Sequence, residues 1–375
     1  MKEDMQKGKR LIYVDIVKGV AITAVVLLHV NYAFHNSTFL PLWSLLGNSW
    51  HVCVFFMVSG FFLKNESLLH TRSFLQRKAH LLYLPLICYY LVFLLLHNAF
   101  IHIGFYEVGM EYGGKVMAPF GTADFLRHFA ASLVLAGREP LLAPLWFVSV
   151  MIIAFVLMWG VSKVLSLFFG RWQHDVNSKA FEYTRMCVIL LACIIMHLLS
   201  NVFHFNIPRF NNSFTALWLI LCGYFVFQKM KMRFDSMKVA VACAVAVYVC
   251  NIVFGANVLM TNSYHNIVSL TICTFSALYV ICFVAKKVQT TLLGRLMAWV
   301  GNHSYAIMAL HLLAFKIATV MLRLTLFPKQ PLSPLNPVAG NSLWLLLYFT
   351  IIGVILPALL ASIYAWLRRR LSDNN

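Results

Sequence analysis

Residues 11–30 read LIYVDIVKGVAITAVVLLHV, an apolar run long enough to cross a bilayer that nonetheless carries Asp15, Lys18 and His29. A charged group inside a membrane costs at least a few kcal/mol, so ionisable residues there face a protein interior or a wet cavity and mark a functional path. Lys18 and His29 stand eleven positions apart. On an α-helix that spacing brings them within about 20° of one face, roughly 16 Å apart along the axis. One face of the first span is therefore polar at two depths. Asp15 precedes Lys18 by three residues, close enough for a helical ion pair that would lower the cost of burying both. The competing reading is that both snorkel to the interface. His29 lies deeper, and an imidazole that titrates near neutral pH suits a general base.

The rest of the chain agrees that this is a membrane protein. Its 375 residues are 61% hydrophobic and 11% charged, and its mean hydropathy is +0.79. Apolar spans fall near residues 11–33, 40–62, 80–100, 142–164, 186–201, 213–228, 238–256, 265–285, 297–323 and 343–367. The expected fold is all-α, polytopic, with ten transmembrane helices in a single domain over 1–375 and no separate soluble domain. The segments on the N-terminal side of the membrane hold 22 of the 30 basic residues. By the positive-inside rule both termini are then cytoplasmic. The same clustering between spans explains the net charge of +18 without nucleic acid. The first apolar run is long and holds Asp15 and Lys18, unlike a cleavable signal, so it is read as a retained span. All nine cysteines sit in apolar spans and none forms CxxC, which favours neither disulfides nor a zinc site.

Four other stretches hold groups suited to chemistry. HVCVFFMVSGFFLKN (51–65) offers His51 and the Ser59-Gly60 pair, where small residues allow close helix approach. Arg72, Arg77, Lys78 and His80 precede LLYLPL, whose Pro85 can kink or shape the start of the third span. Such a cluster suits phosphate groups, although a positive-inside anchor explains it equally. PLWFVSVMI (144–152) contains Trp146, also readable as an interfacial aromatic. GNHSYAIMALH (301–311) contains His303 and His311, eight apart and so about 80° around a helix, which makes no close metal pair. No metal site is expected. Two non-cytoplasmic connections, 101–141 and FPKQPLSPLNP (327–337), are long enough to form a cap or an acceptor surface, or to remain exposed loops.

Taken in order, these segments resemble the membrane-bound acyltransferase family 3, particularly its branch similar to fucose 4-O-acetylases and bacterial surface-polysaccharide O-acetyltransferases. DIVKGVAITAVVLLH matches a first-helix motif in which ten residues separate a basic residue from His, the positions of Lys18 and His29. HVCVFFMVSGF matches an FFxxSG element, placing Phe55, Phe56, Ser59 and Gly60, with His51 where that branch often has His. LWF (145–147) and SYAIMALH (304–311) resemble two further elements. Where many members have Arg this chain has Lys18, and the family's RxxR pair appears as Arg77 and His80 beside Lys78.

The resemblance implies transfer of an acyl group, usually acetyl from cytoplasmic acetyl-CoA, to a sugar hydroxyl of a cell-envelope glycan or its lipid-linked precursor. It implies a multi-pass protein of the bacterial cytoplasmic membrane. Lys18, Arg77, Arg72 and Lys78 would hold the phosphates of CoA, and the thioester would extend toward His29. His29 would deprotonate the acceptor hydroxyl or take the acyl group itself, and Ser59 would shape the thioester site or pack helices. Two other classes compete: a transporter or flippase for a glycan intermediate, for which no inverted repeat is evident, and a non-catalytic partner of a polysaccharide synthase. Acceptor choice and oligomeric state are not encoded in these motifs.

Overall fold

The computed structural model describes residues 11–32, 50–65, 68, 70–112, 115–170, 178–255 and 259–373. In chain order its helices are α1 (Ile12–Leu28), α2 (His51–Phe61), α3 (Thr71–Lys78), α4 (Leu84–His102), α5 (Thr122–Leu133), α6 (Trp146–Gly170), α7 (Lys179–Asn201), α8 (Phe210–Tyr224), α9 (Met237–Phe254), α10 (Ile267–Val288), α11 (Leu292–Asn302), α12 (Ser304–Thr325) and α13 (Leu343–Asp373). Among the described residues, strand is confined to β1 (Asn31–Tyr32), β2 (Glu111–Tyr112), β3 (Lys115–Val116) and β4 (Val338–Gly340). The protein is an all-α polytopic membrane protein: among the described residues, eight helical segments are long and apolar enough to cross a bilayer. These correspond to the third to tenth expected spans. The first is the 17-residue α1 and the second the 11-residue α2, while residues 40–49 of the expected second span lie outside the described residues.

Helix boundaries depart from the sequence reading in three places that matter. The third span starts near residue 71 rather than 80, because α3 runs through a π-turn (Ala79–Tyr83) into α4. Pro85 lacks the N–H that would bond the Leu81 carbonyl, and a wide turn just before it absorbs that loss. The fifth begins at Lys179 rather than 186 and so buries Glu182 and Arg185. Glu182 thus joins Asp15 as an acidic group buried in a helix. The ninth, expected as one span over 297–323, is two helices, α11 and α12, broken at His303.

The chain forms two compact units, one of Met1–Trp43, Ile87–Leu145 and Val284–Asn375, the other of Ser44–Leu86 and Trp146–Phe283. In the first, α1 packs mainly on α11, with α12 and α13 also against it. The crossing is at backbone distance: a Cβ on Gly301 would lie 1.8 Å from the Asp15 carbonyl oxygen, and one on Gly19 would lie 2.1 Å from that of Met297. Only glycine permits that approach. Beyond α1, β1 pairs in parallel with β4. The Lys316 ammonium donates to the carbonyls of Leu332, Ser333 and Pro334 at 2.6–2.9 Å, fixing the Pro-rich connection to α12.

The 101–141 connection is folded rather than loose. It contains α5, the antiparallel pair β2–β3 and a buried polar knot. There the Tyr106 hydroxyl donates to Glu139 Oε1 at 2.5 Å, and His97 Nδ1 lies 3.2 Å from Oε2. His97 Nε2 donates to the Ala118 carbonyl at 3.2 Å, and Phe120 stacks on the imidazole with ring centres 3.6 Å apart. Burial, reinforced by the Glu139 carboxylate, pushes the Tyr106 phenol well above its ordinary pKa.

The second unit is organised around a crossing of the same kind. A Cβ on Gly223 of α8 would meet the Met57 carbonyl oxygen at 1.9 Å, and one on Gly60 of α2 would meet that of Ile220 at 2.1 Å. Gln228 donates to the carbonyls of Gly60, Phe61 and Leu63, satisfying acceptors that the end of α2 leaves open. Next to it, Glu182 accepts from Lys229, Tyr224 and Asn65.

Candidate active site

Along α1 the first unit sets ionisable groups in two pairs, Lys18 with Asp15 and His29 with His311. Lys18 Nζ lies 2.7 Å from Asp15 Oδ1, with 22% and 8% of the respective side chains exposed. The spacing of three residues therefore does form the expected ion pair, in a half-dry setting where removing one partner would strand the other. At the far end of α1, His29 serves as the C-cap residue, and its Nδ1 lies 2.8 Å from the Val25 carbonyl. A carbonyl only accepts, so Nδ1 carries the hydrogen and Nε2 keeps a lone pair. That is the tautomer a general base needs.

His311, on α12, stands against it, with ring centres 4.9 Å apart and planes inclined at 62°. It repeats the same local device: Nδ1 bonds the Ile307 carbonyl at 2.8 Å. Its side chain is wholly buried, and among the described residues its Nε2 has no hydrogen-bond partner. His303, by contrast, is tied into the α11–α12 break, with Nδ1 on the Trp299 carbonyl at 2.8 Å and Nε2 3.0 Å from Ser362 Oγ. The sequence spacing separated His303 from His311 correctly but gave no sign that His311 meets His29.

The second unit gathers another set. A cavity of about 390 Å³ is lined by Ser59, Lys64, Ser73, Arg77 and Lys78 together with apolar groups that include Phe62, Met151 and Phe155. Its chemistry is two-toned: cations and hydroxyls on an otherwise greasy wall. The Lys78 ammonium sits 3.2 Å from the centre of the Phe155 ring, a cation–π contact that holds it at the cavity wall. The Ser59 hydroxyl donates to the Phe55 carbonyl at 2.8 Å and lies 3.7 Å from Met151 Sδ. Its hydrogen is committed to the helix, and it offers the cavity its lone pairs.

The remaining sequence candidates fall elsewhere. Arg72 is exposed on α3 and is not among the residues that line the cavity. His80 is exposed in the π-turn. His51 is buried at the start of α2 with its ring 6.3 Å from that of Trp50. Trp146 begins α6 and stands edge-on to Phe147 at 6.5 Å. Sequence reasoning missed Lys64, Ser73, Met151 and Phe155 as cavity residues. Lys64 and Met151 lie inside the quoted stretches 51–65 and 144–152, and Ser73 follows Arg72, whereas Phe155 looks like an ordinary membrane-helix residue until α6 is packed.

A helix of a membrane protein with a buried ion pair, an imidazole fixed as a base, and a basic-and-apolar cavity are the parts a membrane group-transfer enzyme needs. Comparison with known proteins agrees. No curated protein and no solved structure matches the chain. The family model of an acyltransferase domain, acyltransferase family 3, matches residues 11–363, which is nearly the whole length. The chain thus belongs to acyltransferase family 3 and is a membrane acyltransferase.

Proposed function

We propose that this acyltransferase moves an acetyl group from cytoplasmic acetyl-CoA to a sugar hydroxyl of a cell-envelope glycan, or of its lipid-linked precursor, in the bacterial cytoplasmic membrane. The observation that carries this reading is the state of His29: Nδ1–H is pinned to the Val25 carbonyl, leaving Nε2 as a proton acceptor at the C-terminal end of α1. An alcohol is a poor nucleophile until a base takes its proton, so a fixed neutral imidazole is the group that O-acyl transfer requires.

The residues divide the work as follows. Arg77, Lys78 and Lys64 supply positive charge for the donor's phosphates, with Arg77 able to bind bidentately. The apolar wall formed by Phe62, Met151 and Phe155 suits the uncharged pantetheine arm. Arg72 contributes longer-range attraction from its exposed position. The Lys18–Asp15 pair places a second cation on α1. Nε2 of His29 removes the acceptor's hydroxyl proton as the oxygen attacks the thioester carbonyl. The C–O bond forms, the C–S bond breaks, and the proton leaves with the CoA thiolate.

The test is transfer of label from radiolabelled acetyl-CoA into envelope glycan by membranes carrying wild-type protein or His29→Ala at matched expression. We expect label with the wild type and a loss of about 10²-fold or more with His29→Ala. Retained transfer by a well-inserted His29→Ala protein would remove His29 as the base. Movement of a supplied glycan across vesicles without any acyl donor would favour a transporter instead.

A further inference from the structure

We infer that His311 is the proton-holding partner of His29, a positioning residue whose Nε2 lone pair receives the N–H that His29 acquires during transfer. The inference rests on the reading of His29 as the base and extends it to a residue on another helix.

The argument starts from hydrogen-bond accounting. Both imidazoles spend Nδ1–H on the carbonyl one turn earlier, Val25 for His29 and Ile307 for His311. Both Nε2 atoms are then acceptors, and two acceptors cannot bond each other. Among the described residues His311 Nε2 is accordingly left without a partner, in a fully buried side chain. Buried polar atoms are nearly always satisfied, and an unmatched one in a native fold calls for an explanation. The ring beside it supplies one: His29 is 4.9 Å away, centre to centre. Once His29 Nε2 takes the acceptor's proton, the N–H it gains is shared between the acceptor oxygen and His311 Nε2, and it becomes the donor that His311 lacks.

The resting pair is therefore one hydrogen short, and it becomes complete only in the state that follows proton abstraction. An interaction stronger in the activated state than in the ground state is one that raises the rate. His311 would hold the imidazolium in place until the proton passes to the departing thiolate. No atom is gained or lost, because the proton enters from the acceptor hydroxyl and leaves on CoA–SH. The neighbours of His311 fit this role. Phe315 meets its ring edge-on at 5.7 Å and excludes water. Lys316, the nearest cation in sequence, is tied up by three carbonyls of the Pro-rich connection.

The experiment compares His311→Leu and His311→Gln with wild type and His29→Ala in matched membranes, reading kcat, the KM for acetyl-CoA, and the melting temperature of the donor-free protein. Leucine removes the lone pair, whereas the glutamine amide oxygen restores an acceptor near the position of Nε2. We expect His311→Leu to lower kcat about 10²-fold with KM unchanged and to melt no lower than wild type, since it deletes an unmatched buried acceptor. His311→Gln should recover at least tenfold over leucine. Wild-type kcat in His311→Leu overturns the inference. So do equal losses in both variants, or a loss confined to KM, or a lower melting temperature that tracks the activity loss. Each of those outcomes with inactive His29→Ala leaves His29 standing as the base, whereas active His29→Ala removes both that role and this inference.

Discussion

The two units solve the same packing problem and put different chemistry on the solution. In each, an early helix is clasped by a later one at a glycine pair, Gly19 with Gly301 and Gly60 with Gly223, where any Cβ would fall about 2 Å from a carbonyl oxygen. In the first unit the clasped helix carries a buried ion pair and ends on an imidazole. In the second, the polar group beside the glycine is a serine whose hydrogen is spent on its own helix, and the cations stand around it on α3 and the segment after α2. Membrane helices gain little hydrophobic energy from meeting each other, so close backbone contact and polar bonding must hold them. The crossings are thus a shared scaffold. What differs is whether the clasped helix itself presents reactive groups or only shapes a cavity for groups brought by others.

The largest effects should come from the scaffold, and they should be alike in the two units. Gly301→Ala and Gly223→Ala each force a methyl into a carbonyl at 1.8–1.9 Å, and no flexible side chain can yield there. Such overpacking is expected to cost about 3 kcal/mol or more. Thermal melting in detergent should show a similar drop for both, with activity lost as the fold loosens. A mild effect in one unit and a severe one in the other would break the parallel between the crossings.

This parallel was only half visible in the sequence. Asp15, Lys18 and His29 were legible because ionisable groups in an apolar run are expensive and therefore conspicuous, and their helical spacing follows from geometry alone. Most spans were legible for the complementary reason, that a bilayer admits few alternatives to a long apolar helix. The His29–His311 contact was not, since it depends on how α12 packs against α1, and sequence separation carries no record of that. Gly301 gave no sign of its role either, which is the close crossing with α1. Glu182 escaped notice because a helix start was placed seven residues late, which left a buried carboxylate reading as a loop residue. The cavity wall was hidden for a similar reason: Met151 and Phe155 are indistinguishable from lipid-facing residues until their helix face is known.

A smaller effect should separate the units by which kinetic constant moves. Arg77 lines the cavity but is exposed, so its contribution to holding an anion is at the weak end of charge-assisted bonding, about 1.5 kcal/mol. We expect Arg77→Ala to raise the KM for acetyl-CoA roughly tenfold with kcat nearly constant. Substitution at His29 should do the reverse, lowering kcat with little change in KM. If Arg77→Ala instead lowers kcat at saturating donor, the cavity takes part in the chemical step and the contrast drawn between the units is too sharp.

The smallest effect is the most specific. Ser59 sits beside Gly60 in the clasped helix of the second unit, and its hydroxyl hydrogen is already engaged by the Phe55 carbonyl. That carbonyl keeps its backbone bond without the serine, so Ser59→Ala removes little and should change stability by about 0.5 kcal/mol or less. Its neighbour cannot be changed so lightly: a Cβ on Gly60 would meet both the Ile220 carbonyl and the Tyr224 nitrogen. Activity measured for Ser59→Ala then decides what the motif is for. Kinetics within about threefold of wild type would mean that the glycine carries the motif's purpose, namely close approach. A kcat loss beyond tenfold, with melting unchanged, would mean that the hydroxyl turns away from Phe55 toward the thioester during the reaction. The second unit would then present a reactive group of its own at the glycine crossing, as the first does.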